Sequence, residues 1–253
     1  MSAMAIGWIA FACVFGGALL GMFLRGVLPE HHLSPDSKDV VKLGMGLLGT
    51  MAALVLGLLI ASAKGSFDTQ NTEVKQAAAK IVLLDRALAQ YGPETKDARD
   101  MIRRSVAFRL AVTWPEDGSA PERFDTPETT PTLERIETKI RDLSPQNDGQ
   151  GWLQSRALQM ASDVQQTRWL LFGGAGDAIP MPFLVVLVCW ISVIFVSFGL
   201  FAPPNGTVVA VLLVCALSIA ASIFLIVEMG RPFEGLLKIS SAPLHYALSH
   251  LGE

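Results

Sequence analysis

Residues that carry chemistry are scarce in this chain of 253: it has three cysteines, four histidines and two tyrosines. Cys13, Cys189 and Cys215 all fall in apolar stretches, where a thiol behaves as a small hydrophobe, so neither a disulfide framework nor a zinc spacing is available. His31 and His32 are adjacent and in a helix or strand would not share a face to clamp one metal, and His245 and His250 stand alone. Phe172-Gly173-Gly174-Ala175-Gly176-Asp177 has the glycines of a phosphate loop but neither its lysine nor a preceding strand, and it reads as a hinge. No catalytic group, metal or cofactor is therefore expected, and the chain does not read as an enzyme. Charge is scarce as well. At 17% charged residues, a net charge of -3 and no stripe of Lys or Arg, nothing could follow a nucleic-acid backbone.

What charge there is avoids three regions, Met1 to Leu24, Leu43 to Ala63 and Pro180 to Val227, while 51% of the chain is hydrophobic. Such segregation predicts an all-α membrane protein: four transmembrane helices, with a helical water-facing insert between the second and third. The first span runs from about Ala3 to Leu24 and stops at Arg25. It has no basic n-region and no small-x-small cleavage site, so a retained helix rather than a signal peptide is expected. Lys42 and Lys64 bracket the second span. The third begins near Pro182 and ends at Ala202-Pro203-Pro204-Asn205-Gly206, a turn whose prolines cannot continue a helix. The fourth runs from about Thr207 to Val227 and stops at Glu228. The expected organisation is a first hairpin over 1–64, the insert over 65–178, a second hairpin over 179–228 and a tail over 229–253.

Basic residues near the span ends set orientation. Lys64, Lys75, Lys80, Arg168, Arg231 and Lys238 lie on one side, and Arg25, Lys38 and Lys42 on the other. That imbalance favours a cytoplasmic insert and cytoplasmic termini. In the second span Gly49, Ala53, Gly57 and Ala61 recur every four residues, as Cys13, Gly17 and Gly21 do in the first. Such ridges let backbones approach closely in lipid, and they also leave room for an ion along a pore. Both readings stand at this point.

Within the insert, Val74, Ala77, Ala78, Ile81, Leu84 and Leu88 predict that the second span continues as one helix until Tyr91-Gly92-Pro93 ends it. Met101, Ile102, Val106 and Leu110 mark a second helix ending at Trp114-Pro115. Leu133, Ile136, Ile140 and Leu143 mark a third. Trp152, Leu153, Leu158, Ala161, Val164 and Leu171 mark a fourth. The stretch from Pro115 to Pro131 is acidic and proline-rich and reads as a loop. After the fourth span, Glu228 and Arg231 place an acid and a base at the membrane boundary. Leu236, Leu237, Ile239, Leu244, Tyr246, Leu248 and Leu251 then give a tail amphipathic enough to lie on a membrane or on a neighbouring subunit.

Taken together, these segments resemble the bacterial bestrophin-like family. The resemblance rests on Gly49-Thr50 through Leu56-Gly57-Leu58-Leu59 and Ala61 in the second span, and on Asp85-Arg86-Ala87-Leu88, Tyr91-Gly92-Pro93-Glu94 and Trp114-Pro115 in the insert. It continues through Pro182-Phe183, Phe198-Gly199-Leu200-Phe201-Ala202-Pro203, Ala216-Leu217-Ser218 and Phe224-Leu225-Ile226-Val227-Glu228-Met229. In the tail it rests on Arg231-Pro232-Phe233-x-Gly235 and Ser240-Ser241-Ala242-Pro243-Leu244. It implies kinship with bestrophins, which are pentameric anion channels with four spans and cytoplasmic termini, and it implies that the second span lines the pore. A bacterial inner-membrane location follows from the same likeness. Two bestrophin features are absent: a neck of bulky apolar residues flanked by proline, and an acidic cluster after the fourth span that could clasp calcium. Calcium gating therefore does not carry over.

The resulting expectation is an oligomeric, channel-like protein of the bilayer that carries an inorganic ion. Gly49, Thr50, Ala53, Gly57 and Ala61 would line the pathway or pack helices, and Lys64, Glu228 and Arg231 would stand at its mouth. The alternative is a non-conducting membrane scaffold or signalling protein that binds a partner through its helical insert.

Overall fold

In the computed structural model α1 spans Ala3–Val27 and α2 Pro35–Tyr91, followed by a single 3-10 turn at Pro93–Thr95. Then come α3 (Lys96–Thr113), α4 (Thr130–Arg141), α5 (Asp148–Gly173), α6 (Met181–Phe201), α7 (Gly206–Met229) and α8 (Ala242–His250). The structure describes residues 2–29, 35–115, 130–173, 181–203 and 205–252, with backbone alone at Asp36, 130–133 and 170–173. Among the described residues there is no strand. Among the described residues four helices, α1, α2, α6 and α7, are long and apolar enough to cross a membrane. The His31-His32 pair, the body of the acidic loop and the glycines from Gly174 on lie outside the described residues.

The chain divides into two compact units, Met1–Ser66 with Asp177–Gly230, and Phe67–Gly176 with Arg231–Glu253. In the first unit α1 packs against α6 and α7. Its ends are set locally: the Ser2 hydroxyl accepts from the Ala5 N–H at 3.2 Å, and Arg25 donates to the Ala202 carbonyl at the end of α6. At the other hairpin the Asn205 side chain accepts from the Val208 N–H at 2.8 Å and caps α7. Val14, Ala18, Leu187, Ile191, Phe195 and Ala216 form the body of the core.

The seam between α1 and α6 is made by glycine. A Cβ on Gly21 would overlap the Val196 carbonyl oxygen, and one on Gly199 would overlap that of Ala18. At Gly17 it would sit 2.9 Å from the Ser192 carbonyl oxygen. The ridge on the first span thus serves ordinary helix contact at Gly17 and Gly21, while Cys13 is exposed. Close backbone approach is the means of association where lipid tails compete equally for apolar side chains.

The second unit is a bundle of the continuation of α2 with α3, α4, α5 and α8. Val74, Ala78, Ile81, Leu84 and Leu88 of α2 are buried against Ile102, Val106 and Leu110 of α3 and Ile136 and Ile140 of α4. Helix α2 ends because Gly92 adopts φ +144°, a conformation side chains rarely accept. The Thr95 hydroxyl, buried, then bonds the Leu88 and Gly92 carbonyls at 2.7 and 2.8 Å and closes the turn. The amide of Gln154 on α5 lies 2.9 Å from the carbonyls of Ile140 and Leu143, satisfying the C-terminal end of α4.

Two side-chain expectations are corrected here. On α5, Trp152 is 66% exposed, whereas the expected Ala161 is buried, with Ala157 and Thr167 beside it among the described residues, and the expected Leu158 and Val164 pack against the same core. The tail does not wait for a membrane or a neighbour to cover its whole apolar side. Ile239, Leu244 and Leu251 are buried in the core of the insert's own unit, as is Phe233 just before them, while Leu236 and Tyr246 remain exposed.

The α1–α6 seam makes a prediction. Gly21→Leu is expected to destabilise the protein by about 1–3 kcal/mol through overpacking. Gly16→Leu, on the same helix with nothing within 4 Å of the added Cβ, should change little. Unfolding of the purified protein in detergent, followed by helicity, measures both.

Candidate functional site

Successive residues of a helix advance by about 100° around its axis, which divides the second span into three faces. Ala52, Leu59 and Ala63 are buried against the first unit's core, with Val55 and Leu56 packed beside them. Leu43, Leu54 and Leu58 are exposed at 70–78%, in line with Leu47 and Met51. A third face carries Gly46, Thr50, Ala53, Gly57 and Ala61, all exposed, with Lys42 at one end and Lys64 at the other.

The expected four-residue ridge therefore winds. Gly49 begins it at the edge of the packed face, where an added Cβ would lie 4.0 Å from Ile194 Cδ1, whereas at Gly57 nothing lies within 4 Å. A step of four residues overshoots a full turn by about 40°, which explains the drift. Thr50 is the polar member of the face; its hydroxyl donates to the Gly46 carbonyl at 2.9 Å, so only oxygen lone pairs are offered outward. At the start of the helix Lys42 lies 3.7 Å from Asp39, both exposed. A groove lined by Lys38, Lys42, Met45, Gly46 and Gly49 on α2 faces Ile194, Ser197, Phe198 and Phe201 on α6.

The three residues expected at the mouth differ in accessibility. Lys64 is exposed. Glu228 is only 4% exposed, held within the first unit. Arg231 belongs to the second unit and is 39% exposed, 3.9 Å from Glu234.

The insert holds charged features that spacing alone did not reveal. The Asp85 carboxylate, 1% exposed, receives Nε and Nη2 of Arg99, each at 2.8 Å. The Gly252 N–H adds a third contact to it at 3.3 Å, so this one carboxylate ties α2, α3 and the end of the tail. The hydrogen bond to Asp85 outweighs burial and moves the Arg99 guanidinium further into its charged range. The Trp114 indole N–H donates to the Ile239 carbonyl at 2.7 Å, and its ring stands edge-on to Phe233, 5.6 Å between centroids. Two separate runs of the sequence, Trp114-Pro115 and Arg231-Pro232-Phe233, thereby meet. Arg109 is lowered to about 10, by burial first and then by the charge of Arg168. Burial, with the charge of Glu94 behind it, raises the Tyr91 phenol. Among the described residues no group of three His, Cys, Asp or Glu is placed to hold a metal.

Four apolar helices long enough to span a bilayer, interrupted between the second and third by a helical bundle that also takes in the tail, define the class: an all-helical membrane protein with a large soluble insert. The model of the Bestrophin-like domain matches residues 12–244, and the chain belongs to that family. The fold is shared with solved structures of a bacterial bestrophin homologue from Klebsiella pneumoniae, determined as single-substitution variants. One aligns with a TM-score of 0.60 at 16% identity, covering 93% of this chain and 96% of its own. Another aligns at 0.53 and 15%, covering 94% and 97%. At these identities the likeness is one of fold. No curated protein matches the chain.

Because Asp85 is buried and accepts three donors, Asp85→Ala leaves Arg99 and the Gly252 amide without it. The expected cost is about 3–5 kcal/mol, seen as a lowered thermal midpoint for the purified protein.

Proposed function

We propose that the chain assembles with copies of itself around an ion pathway lined by α2. The observation that carries this reading is how little of the second span its own chain covers. In its most apolar window 11% of residues are buried, against 39%, 33% and 28% for α1, α6 and α7. A helix of a single four-span bundle would bury a face comparable to its neighbours'. The way the open surface is divided supports the same reading. The leucine face suits lipid or the flank of a second copy, while the small face of Gly46, Thr50, Ala53, Gly57 and Ala61 gives lipid little to pack against. It suits a water-filled passage, where small side chains leave room and the Thr50 oxygen faces the permeant species.

Lys42 and Lys64 lie on that small face, 22 positions apart in the sequence. At 1.5 Å per residue they stand about 33 Å from one another, close to the thickness of a hydrocarbon core. Lys64 at one end of a low-dielectric passage favours anions, because the walls focus the field of a few charges, while at the other end Asp39 lies 3.7 Å from Lys42 and offsets part of its charge. Five copies, a bacterial inner-membrane location and cytoplasmic termini complete the proposal; the excess of Lys and Arg on the insert side supports that orientation. The scaffold alternative keeps less surface, since much of the tail's apolar side is already spent within the second unit.

Reversal potentials in a planar bilayer under a salt gradient test the pathway. A reproducible conductance with a sign favouring anions is expected, abolished by Gly57→Trp in protein that still assembles. Lys64→Glu is expected to reduce anion preference by roughly tenfold. Conductance undisturbed by Gly57→Trp would remove α2 from the pathway.

A further inference from the structure

Between the start of α2 and the end of α6 the first unit holds a groove of about 630 Å³. Lys38, Lys42, Met45, Gly46 and Gly49 form its α2 wall, and Ile194, Phe198 and Phe201 form most of the α6 wall. Steps of three and four residues put each set on one helix face. The charge is all at one end. Lys38 and Lys42 belong to the first two turns of α2, and beyond them the lining is apolar save for Ser197. None of the described lining residues is acidic. Asp39 lies 3.7 Å from Lys42 but outside the lining, and both are largely exposed, so the pair is weak and leaves Lys42 able to change partner. Glycine makes the room. At Gly46 an added Cβ would meet nothing within 4 Å, whereas at Gly49 it would lie 4.0 Å from Ile194 Cδ1, where the two walls meet. Gly49 follows Lys42 by seven residues and Lys38 by eleven. At 1.5 Å per residue the groove therefore runs about 10–16 Å past the lysines, close to half the thickness of a hydrocarbon core.

We propose that this groove holds an anionic phospholipid, its phosphate at Lys38 and Lys42 and one acyl chain laid between α2 and α6. The bilayer offers such a molecule with the same polarity as the groove, charge at the water boundary and hydrocarbon through one leaflet below it. Lysines at the end of a span attract anionic headgroups, and their stems lie along apolar surface while the ammonium groups stay at the boundary. Inorganic phosphate would use the lysines and leave Met45, Ile194, Phe198 and Phe201 bare. A zwitterionic lipid would cover those walls but bring a cation of its own to the lysines. The groove lies at the edge of the small face of α2 and shares Lys42 and Gly46 with it, so the lipid would border one end of the proposed passage. Its binding does not rest on that reading.

Native mass spectrometry of the full-length protein in detergent tests this, by titration with phosphatidylglycerol or phosphatidylcholine of the same acyl chains. One phosphatidylglycerol per chain is expected to bind at least about fivefold more tightly than phosphatidylcholine. Replacing both lysines, Lys38→Gln with Lys42→Gln, should abolish that preference, while Lys64→Gln, at the other end of the span, should keep it. Gly46→Leu fills the groove and leaves both lysines, and it should weaken phosphatidylglycerol at least about fivefold. Equal affinity for the two lipids, or a preference that survives the loss of both lysines, overturns the proposal. Loss of the preference in Lys64→Gln would reduce the effect to general attraction of lipid charge, and displacement by equimolar inorganic phosphate would reduce the groove to an ion site; each overturns it as well. Should the double lysine variant lose helicity, Gly46→Leu decides: unchanged phosphatidylglycerol affinity overturns the site. No outcome here depends on whether the protein conducts.

Discussion

In a bilayer the hydrophobic effect does not pull helices together, because lipid tails solvate leucine as well as another helix does. Contact between spans must come from close packing and from the few polar groups that reach across. In this protein α1 and α6 meet that constraint through Gly17, Gly21 and Gly199, which bring two backbones within reach of each other's carbonyls. Arg25 then fixes the end of the seam by donating to the Ala202 carbonyl. Among the described residues helix α2 makes no such glycine seam with its own chain. Its exposed glycines at 46 and 57 meet nothing within 4 Å, and the first unit is thereby left with an open face along the whole span.

That open face changes character along a single continuous helix. Up to Ser66 the small residues Gly46, Thr50, Ala53, Gly57 and Ala61 of α2 are exposed, and among the described residues of this stretch only Ala52, Leu59 and Ala63 are buried. Beyond it the solvent is water, and the apolar stripe of Val74, Ala78, Ile81, Leu84 and Leu88 is fully covered by the bundle around it. The one helix obeys two rules of association because it passes through two solvents. In the watery part burial is strong enough to hold a carboxylate inside. Asp85 can be 1% exposed only because Arg99 meets both its oxygens and the Gly252 amide adds a third donor.

The sequence made the spans legible because a bilayer demands about twenty uncharged residues in a row, and it made the α2 stripe legible because large aliphatic side chains recur there at helical spacing. It misled at one position of α5: the large Trp152 is exposed, whereas Leu158, Ala161 and Val164 lie on the packed face as expected, and Ala157, which gives almost no hydropathy contrast, joins them. It was silent on Asp85 with Arg99, fourteen positions apart across the Gly92 turn, and on Trp114 with Ile239, because such pairs exist only after the chain has folded back. The proposed pathway was legible only as a run of small residues. Which of them face outward followed from the winding of the helix against α6, beginning at Gly49.

The same distinction between presence and accessibility bears on charge. Read from the sequence, Lys64 and Glu228 mark the ends of two spans and are both expected at the mouth of the pathway. In the folded first unit they are unequal, since Lys64 is exposed and Glu228 is 4% exposed. A permeating ion responds to charges in proportion to the water and distance between them, so an acid withdrawn into the protein weighs less at the surface than a base projecting from it. In the proposed pathway Lys64 stands at one end of α2, while at the other Lys42 lies 3.7 Å from the exposed Asp39. Anion preference in this reading depends on which side chains the fold exposes rather than on the net charge of the chain.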